Sequence, residues 1–182
     1  VVIVKKKPGE KIRIGISSCL LGNKVRYDGS HKRDRYIADS LGRFFEWVSV
    51  CPEVEYGLTV PREAMRLERN PGSPRIVTIS TGIDHTEGLL RWARKKLKEL
   101  ESDNLCGFIF KSRSPSSGIR GVKVYANSKL LNRRGIGIFG AAFMQHFPLM
   151  PVIDDDMLHD PRLREKFMEK VLVYSQLTKK KE

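Results

Sequence analysis

The order of elements predicts an α/β fold: a single three-layer domain with a mostly parallel sheet and helices on both faces. Two observations carry this. Short apolar runs at 12–17, 47–51, 75–80, 106–110 and 149–153 read as strands, and segments of helical spacing separate several of them. Strands that alternate with helices need crossover connections, which place a parallel sheet between two helical layers. Length sets the outer bound, since 182 residues suffice for one domain with a sizeable core and are too few for two comfortable ones.

Each element has its own signal. Residues 12–17 alternate and then stop at Ser18 and Cys19, as a strand running into a loop does. Residues 35–45 show helical spacing through Ile37, Leu41 and Phe45, and 47–51 form an apolar run ended by Pro52. Pro61 suits the first turn of a short helix over 62–69. Residues 75–80 read as a strand. The helix over 84–102 is the clearest, with Leu89, Leu90, Trp92, Ala93, Leu97 and Leu100 mostly on one face and Arg91, Arg94, Lys95, Lys96 and Lys98 opposite. A compact strand over 106–110 and a partly exposed one over 122–125 follow. Residues 136–147 are apolar nearly all round and read as a buried helix; 149–153 read as a core strand and 161–177 as a last helix. The expected organisation is a disordered basic N-terminus over 1–10, a folded domain over 11–177 with a C-terminal helix from about 161, and a disordered tail over 178–182.

Composition narrows the function classes. Apolar residues make up 40% and charged residues 30%, ordinary for a soluble protein. No apolar stretch approaches the roughly 18 residues of a membrane span, and no signal peptide is visible, so the chain is expected in the cytoplasm with no membrane partner. The net charge of +13 points to a polyanionic or nucleotide-like partner. Cys19, Cys51 and Cys106 lie far apart and odd in number, which argues against a disulfide framework; buried thiols, a nucleophile, or ligands from separate loops remain.

Three reactive segments share one placement, each directly after an apolar strand: 17–22 with Cys19, 51–53 with Cys51 and Glu53, and 112–118 with Ser114, Ser116 and Ser117. In open α/β sheets ligands bind beyond the carboxyl ends of the strands, so these segments are expected to meet at one rim. Glu53 beside a thiol suits proton transfer, and the seryl turn flanked by Lys111 and Arg113 suits a polar or anionic ligand. The segment 27–34, with Tyr27 and Asp28 just beyond Cys19, suits a base, a ribose or a phosphate, or else a solvated turn at Asp28 and Gly29. Gly135 and Gly137 before a helix suit close packing better than a phosphate site.

Taken together, segments 18–22, 25–29, 51–53, 57–62 and 111–116 resemble the thiouracil desulfidase family over roughly residues 11–155, in the right order and spacing. The resemblance implies a [4Fe–4S] cluster held by three cysteines, with one iron left open to accept the sulfur of a thiolated pyrimidine. It implies Glu53 and Ser114 as the catalytic, proton-handling residues and Cys19 and Cys51 as two cluster ligands. Tyr27, Asp28, Lys111, Arg113 and Ser116 are expected to bind substrate. Where the family usually has its third cysteine, this sequence has Ser117. Three explanations stand: the change weakens the cluster, the serine oxygen ligates iron, or Cys106 takes over. The last is disfavoured, because a rise of about 3.3 Å per strand residue puts Cys106 well over ~10 Å from the rim. The segment 161–174 resembles the joint of longer relatives that act on thiouridine in tRNA. The expected substrate is therefore 2-thiouracil or 2-thiouridine in RNA; the alternative is an RNA-binding domain that has lost its cluster.

Overall fold

The computed structural model describes residues 11–70 and 74–179, and four parallel strands form its centre. In β1 (Ile12–Ser17) the branched side chains of Ile12, Ile14 and Ile16 are all buried. Gly15 lies between them because the ring of Phe108 crosses its Cα; a Cβ there would stand 2.2 Å from that ring. β2 (Phe45–Val50) pairs with β1 in parallel from Ile12 opposite Phe45 to Ser17 opposite Val50. β5 (Phe108–Phe110) pairs on the other side of β1, and β8 (Val152–Asp154) pairs with β5. Sheet A thus has the order β2-β1-β5-β8, every pair parallel. Ser17, Val50, Phe110 and Asp154 all end at one rim.

Both faces of sheet A are covered, as the sequence predicts. One carries α2 (Thr86–Glu101) and α3 (Ile138–His146), which pack Ala93, Leu97, Leu100, Phe139 and Phe143 on Phe108 and Phe110. The Phe108 and Phe110 rings stack at 4.2 Å, and Phe143 meets both edge-on at 4.7 and 5.3 Å. Such contacts add about 0.5–1.5 kcal/mol each beyond the area they bury. The opposite face carries Leu20, Ile37 and Leu41 from 18–43, with Phe167 and Val171 of α5 (Pro161–Lys179).

A second, mixed sheet was not foreseen. Sheet B has the order β4-β3-β6-β7, from β3 (Met65–Glu68), β4 (Arg75–Thr78), β6 (Val122–Ala126) and β7 (Lys129–Gly135). Its β3–β6 pair is parallel and the other two are antiparallel. β3 replaces the helix expected over 62–69. Leu67 is fully buried, while Arg66 and Glu68 share the other face and pair at 2.6 Å, a period of two that only a strand provides. Pairing on both sides overrides the helix preference of Ala64, Met65 and Leu67.

Other corrections are local. The expected helix over 35–45 is a π turn at Tyr36–Ser40 and a 3-10 turn at Leu41–Arg43, after which β2 begins. α3 is buried on one face only, with Ala141, Gln145 and His146 exposed. The last strand of sheet A starts at Val152, and Leu149 is 84% exposed. α5 continues through Thr178 and Lys179, where disorder was expected. Residues 1–10, 71–73 and 180–182 lie outside the described residues. No helix among the described residues is long and apolar enough to cross a membrane.

Candidate active site

The rim of sheet A opens into a cleft of about 360 Å³. Ser17 at the end of β1 accepts a hydrogen bond from Lys111 N at 2.9 Å, tying two strand ends together. The chain then turns through a 3-10 turn, Ser18–Leu21, which Gly22 ends at φ 100°, a left-handed value that suits glycine. Cys19 lines the cleft from this turn. Cys51 leaves β2 in extended conformation and caps α1 (Pro52–Tyr56); its N–H donates to Glu55 at 2.8 Å. Pro52 sits in the first turn, where its missing N–H costs nothing.

Glu53 is held from two sides. Arg62, whose side chain is 7% exposed, donates through Nε at 2.7 Å and approaches through Nη2 at 2.6 Å. The Ser116 hydroxyl donates to the other carboxylate oxygen at 2.8 Å. Ser116 Oγ lies 3.1 Å from Ser114 Oγ, and Ser114 Oγ accepts from Ser117 N at 3.1 Å. Glu53, Ser116 and Ser114 form one continuous chain of oxygens. Arg62 also reaches Val25 O at 2.8 Å and Thr59 O at 3.2 Å, joining three segments of the cleft.

The seryl loop gets its shape from α3. Phe139 N donates to Ser116 O at 2.8 Å and Gly137 N to Gly118 O at 2.6 Å, so the first amides of α3 are engaged by this loop. A Cβ on Gly137 would stand 2.6 Å from the Ser116 carbonyl carbon. Close packing explains this glycine, as the sequence suggested.

Nine of the ten expected site residues line the cleft: Tyr27, Glu53, Lys111, Arg113, Ser114, Ser116 and the three positions Cys19, Cys51 and Ser117. Asp28 does not. It is an exposed turn residue that accepts from Ser30 N at 3.0 Å and from Ser30 Oγ at 2.5 Å, bonds that hold its carboxyl below the usual range. Cys106 is also elsewhere, buried beyond the opposite end of β5 with its N–H on Arg13 O. Lys111 Nζ is 2.7 Å from Asp155 and 2.7 Å from Ser112 Oγ, and Arg113 pairs with Asp156. Arg62 and Asp155 were given no role from sequence. Asp155 follows β8 as Cys51 follows β2, so the placement rule that found the other segments also points to it.

Burial dominates the thiols. It pushes Cys19 up to about 11, with Lys111 pulling down and Cys51 pushing further up. Cys51 is raised for the same first reason. Cys19 and Cys51 thus bring two soft donors from separate segments to one cleft. The larger groove beside α5, about 1140 Å³, is walled mainly by side chains such as Leu149, Met150, Val173 and Leu177 and gathers no comparable chemistry.

Such a rim cleft, with two thiols and a carboxylate–hydroxyl chain at the strand ends, is the site of an α/β enzyme. Residues 14–155 match the model of the 2-thiouracil desulfurase family, and the chain belongs to that family. It is similar to the uncharacterized protein YbbK of Bacillus subtilis (strain 168), 35% identical over 109 residues that make up 57% of this chain and 71% of that one. It is also similar to the solved structure of a [4Fe-4S]-dependent thiouracil desulfidase, TudS. That match has a TM-score of 0.66 and 31% identity, and it covers 86% of this chain and 99% of the other.

Proposed function

We propose that this chain is a [4Fe–4S]-dependent desulfidase that converts 2-thiouracil, or 2-thiouridine in RNA such as tRNA, to the uracil form with release of sulfide. The observation that carries the reading is the convergence of Cys19, Cys51 and the 114–117 loop on one cleft beside Glu53. The donor set fits the cluster. Two thiols and one hydroxyl reach the cleft from three separate segments, and Ser117 is tied to Ser114 through its backbone N–H. Ser117, which lines the cleft together with Cys19 and Cys51, would supply the third donor. When bound, the cluster supplies a soft Lewis acid for the thiocarbonyl sulfur. The reduced thiols such a site needs suit the cytoplasm.

The chain's own groups do the rest. Tyr27, 41% exposed at the mouth, offers a ring to the pyrimidine face, with the Arg26 guanidinium 5.5 Å from its centroid. Glu53 takes a proton from the water that attacks the ring carbon. Ser116 passes it between Glu53 and Ser114, and Ser114 delivers it to the base or the departing sulfide. Water and thiocarbonyl become carbonyl and hydrogen sulfide, so atoms balance without an added reductant. Lys111, held by Asp155 at 2.7 Å, lines the same cleft as Cys19 and offers its side chain to a polar group of the substrate.

The test is anaerobic reconstitution, followed by iron and labile-sulfide analysis and a sulfide-release assay on 2-thiouracil. A brown protein with iron and sulfide in [4Fe–4S] proportion that releases sulfide is the expected result. A colourless, inactive protein that binds RNA would instead establish the second reading, an RNA-binding relative without a cluster, which the Ser117 substitution favours.

A further inference from the structure

From Asn104 to Ile153 the sequence contains no Asp or Glu. The β6–β7 hairpin lies within this stretch and exposes Lys123, Lys129, Arg133 and Arg134. None of the four is in an ion pair among the described residues, unlike Arg62, Lys111 and Arg113 at the cleft. The basic face of α2 differs too, because Glu87, Glu99 and Glu101 interrupt that helix. The hairpin is therefore a concentrated, uncompensated cationic surface at the edge of sheet B.

It is also joined to the cleft by two short routes. β7 ends at Gly135, and Gly137 packs directly on Ser116 and Ser117. At about 3.3 Å per residue, Arg134 stands on the order of 10 Å from the wall of the cleft. On the other side, Arg66 of β3 bonds Ser128 Oγ in the hairpin turn at 3.2 Å, while its neighbour Met65 lines the cleft. Between the charges the hairpin offers apolar surface, with Leu130 44% and Leu131 47% exposed. Tyr125 is half-buried, its ring 5.4 Å from the Arg66 guanidinium. Cations spaced by apolar and aromatic groups suit a single strand of nucleic acid, whose phosphates and base faces alternate in the same way.

We infer that the β6–β7 hairpin is the surface that holds the RNA strand flanking the thiolated nucleotide, with Lys129, Arg133 and Arg134 on its phosphates. The inference rests on the reading that the pyrimidine can be presented within RNA, and it assigns where that RNA runs. A base in the cleft places its neighbouring phosphates within reach of Arg133 and Arg134. The free base gains nothing from these residues, so they separate the two substrates.

The probe is a fluorescent single-stranded oligoribonucleotide with one central 2-thiouridine, titrated by anisotropy over a range of salt concentrations. The combined variant Lys129→Ala, Arg133→Ala and Arg134→Ala is expected to bind roughly tenfold or more weakly, and its salt dependence flattens by about 0.7 per phosphate contact removed. Arg133→Lys with Arg134→Lys retains most of the affinity, and melting temperature and sulfide release from free 2-thiouracil stay at wild-type values. Equal binding by the alanine variant, with loss on replacing Arg91, Arg94, Lys95 and Lys98, would move the surface to α2 and overturn the inference while leaving the desulfidase reading intact. No salt-dependent binding by the wild type would end both the inference and the RNA substrate, and free-base turnover would then stand alone. Binding through the hairpin by a protein that turns over neither substrate would uphold the surface and end the desulfidase reading.

Discussion

Ser117 is 4% exposed in a turn whose backbone is held by Ser114 and by the first amides of α3, so exchanging its Oγ for sulfur disturbs little around it. Thiolate is the softer donor and suits cluster iron better than a hydroxyl. Ser117→Cys is therefore expected to keep reconstituted iron against a chelator longer than wild type, by at least the tenfold order that ligand-sphere changes bring. Ser117→Ala should lose it faster. Equal iron retention in all three would remove Ser117 from the ligand set. Arg62 makes a second case. It forks onto Glu53 and two backbone carbonyls, which a lysine cannot imitate with one ammonium. Removing the charge would leave a largely buried carboxylate unpaired, at about 3–5 kcal/mol. Arg62→Lys keeps the charge and is the sharper test: kcat for sulfide release should drop on the order of 100-fold, the cost of misplacing a reacting group by about 1 Å. KM and iron content should change far less. A variant with wild-type kcat would show that Glu53 is positioned by other contacts.

Among the elements, those with one dominant period were legible. β1 shows its alternation openly; in α2, Leu89, Ala93, Leu97 and Leu100 of the predicted apolar face are buried, while Leu90 and Trp92 are half-buried and Lys96, expected on the opposite face, is half-buried against Glu55. β3 and β7 were not legible, for different reasons. β3 is four residues of good helix formers whose strand character comes from partners distant in sequence. β7 is an exposed edge strand with little to bury, and its turn uses Asn127 and Ser128, both at positive φ, in place of a stronger Asn-Gly signal. The cleft was more legible than sheet B because its segments 18–19, 51–53 and 111–117 each follow a strand of the parallel sheet, whereas Arg62 and Met65 reach it from the side of sheet B. Gly137 shows how a later element shapes that cleft. Its φ of −65° is ordinary, so space alone demands glycine. Gly137→Ala should cost about 1–3 kcal/mol by overpacking, and it should also slow turnover, since the displaced neighbours are Ser116 and Ser117. Chemical denaturation and the sulfide assay check the two effects separately; stability lost with turnover unchanged would mean that α3 gives way and the loop does not.

Across the molecule, sheet A transmits packing to chemistry. Its two apolar layers meet through β1, β5 and β8, and the strand ends carry the cleft. Charge was legible as a total from the sequence, whereas its arrangement was not: among the described residues the cations at the cleft are paired and those of the hairpin are not. The apolar core follows the same pattern. The segment 136–147 is apolar enough to be buried all round, yet within α3 only Ile138, Phe139, Gly140 and Phe143 are, because the helix covers a sheet that it meets on one side. Phe143 is the keystone of that contact. Its ring meets Phe108, Phe110, Phe139 and Phe147, and it is fully buried. Phe143→Ala should destabilise the fold by about 3–5 kcal/mol, the transfer of the ring plus the cavity it leaves. Leu149→Ala, at the 84% exposed position three residues beyond the end of α3, should stay within about 0.5 kcal/mol. Urea unfolding of both variants tests this. A loss at Phe143 no larger than at Leu149 would mean that the aromatic layer is not what holds α3, and with it the seryl loop, against sheet A.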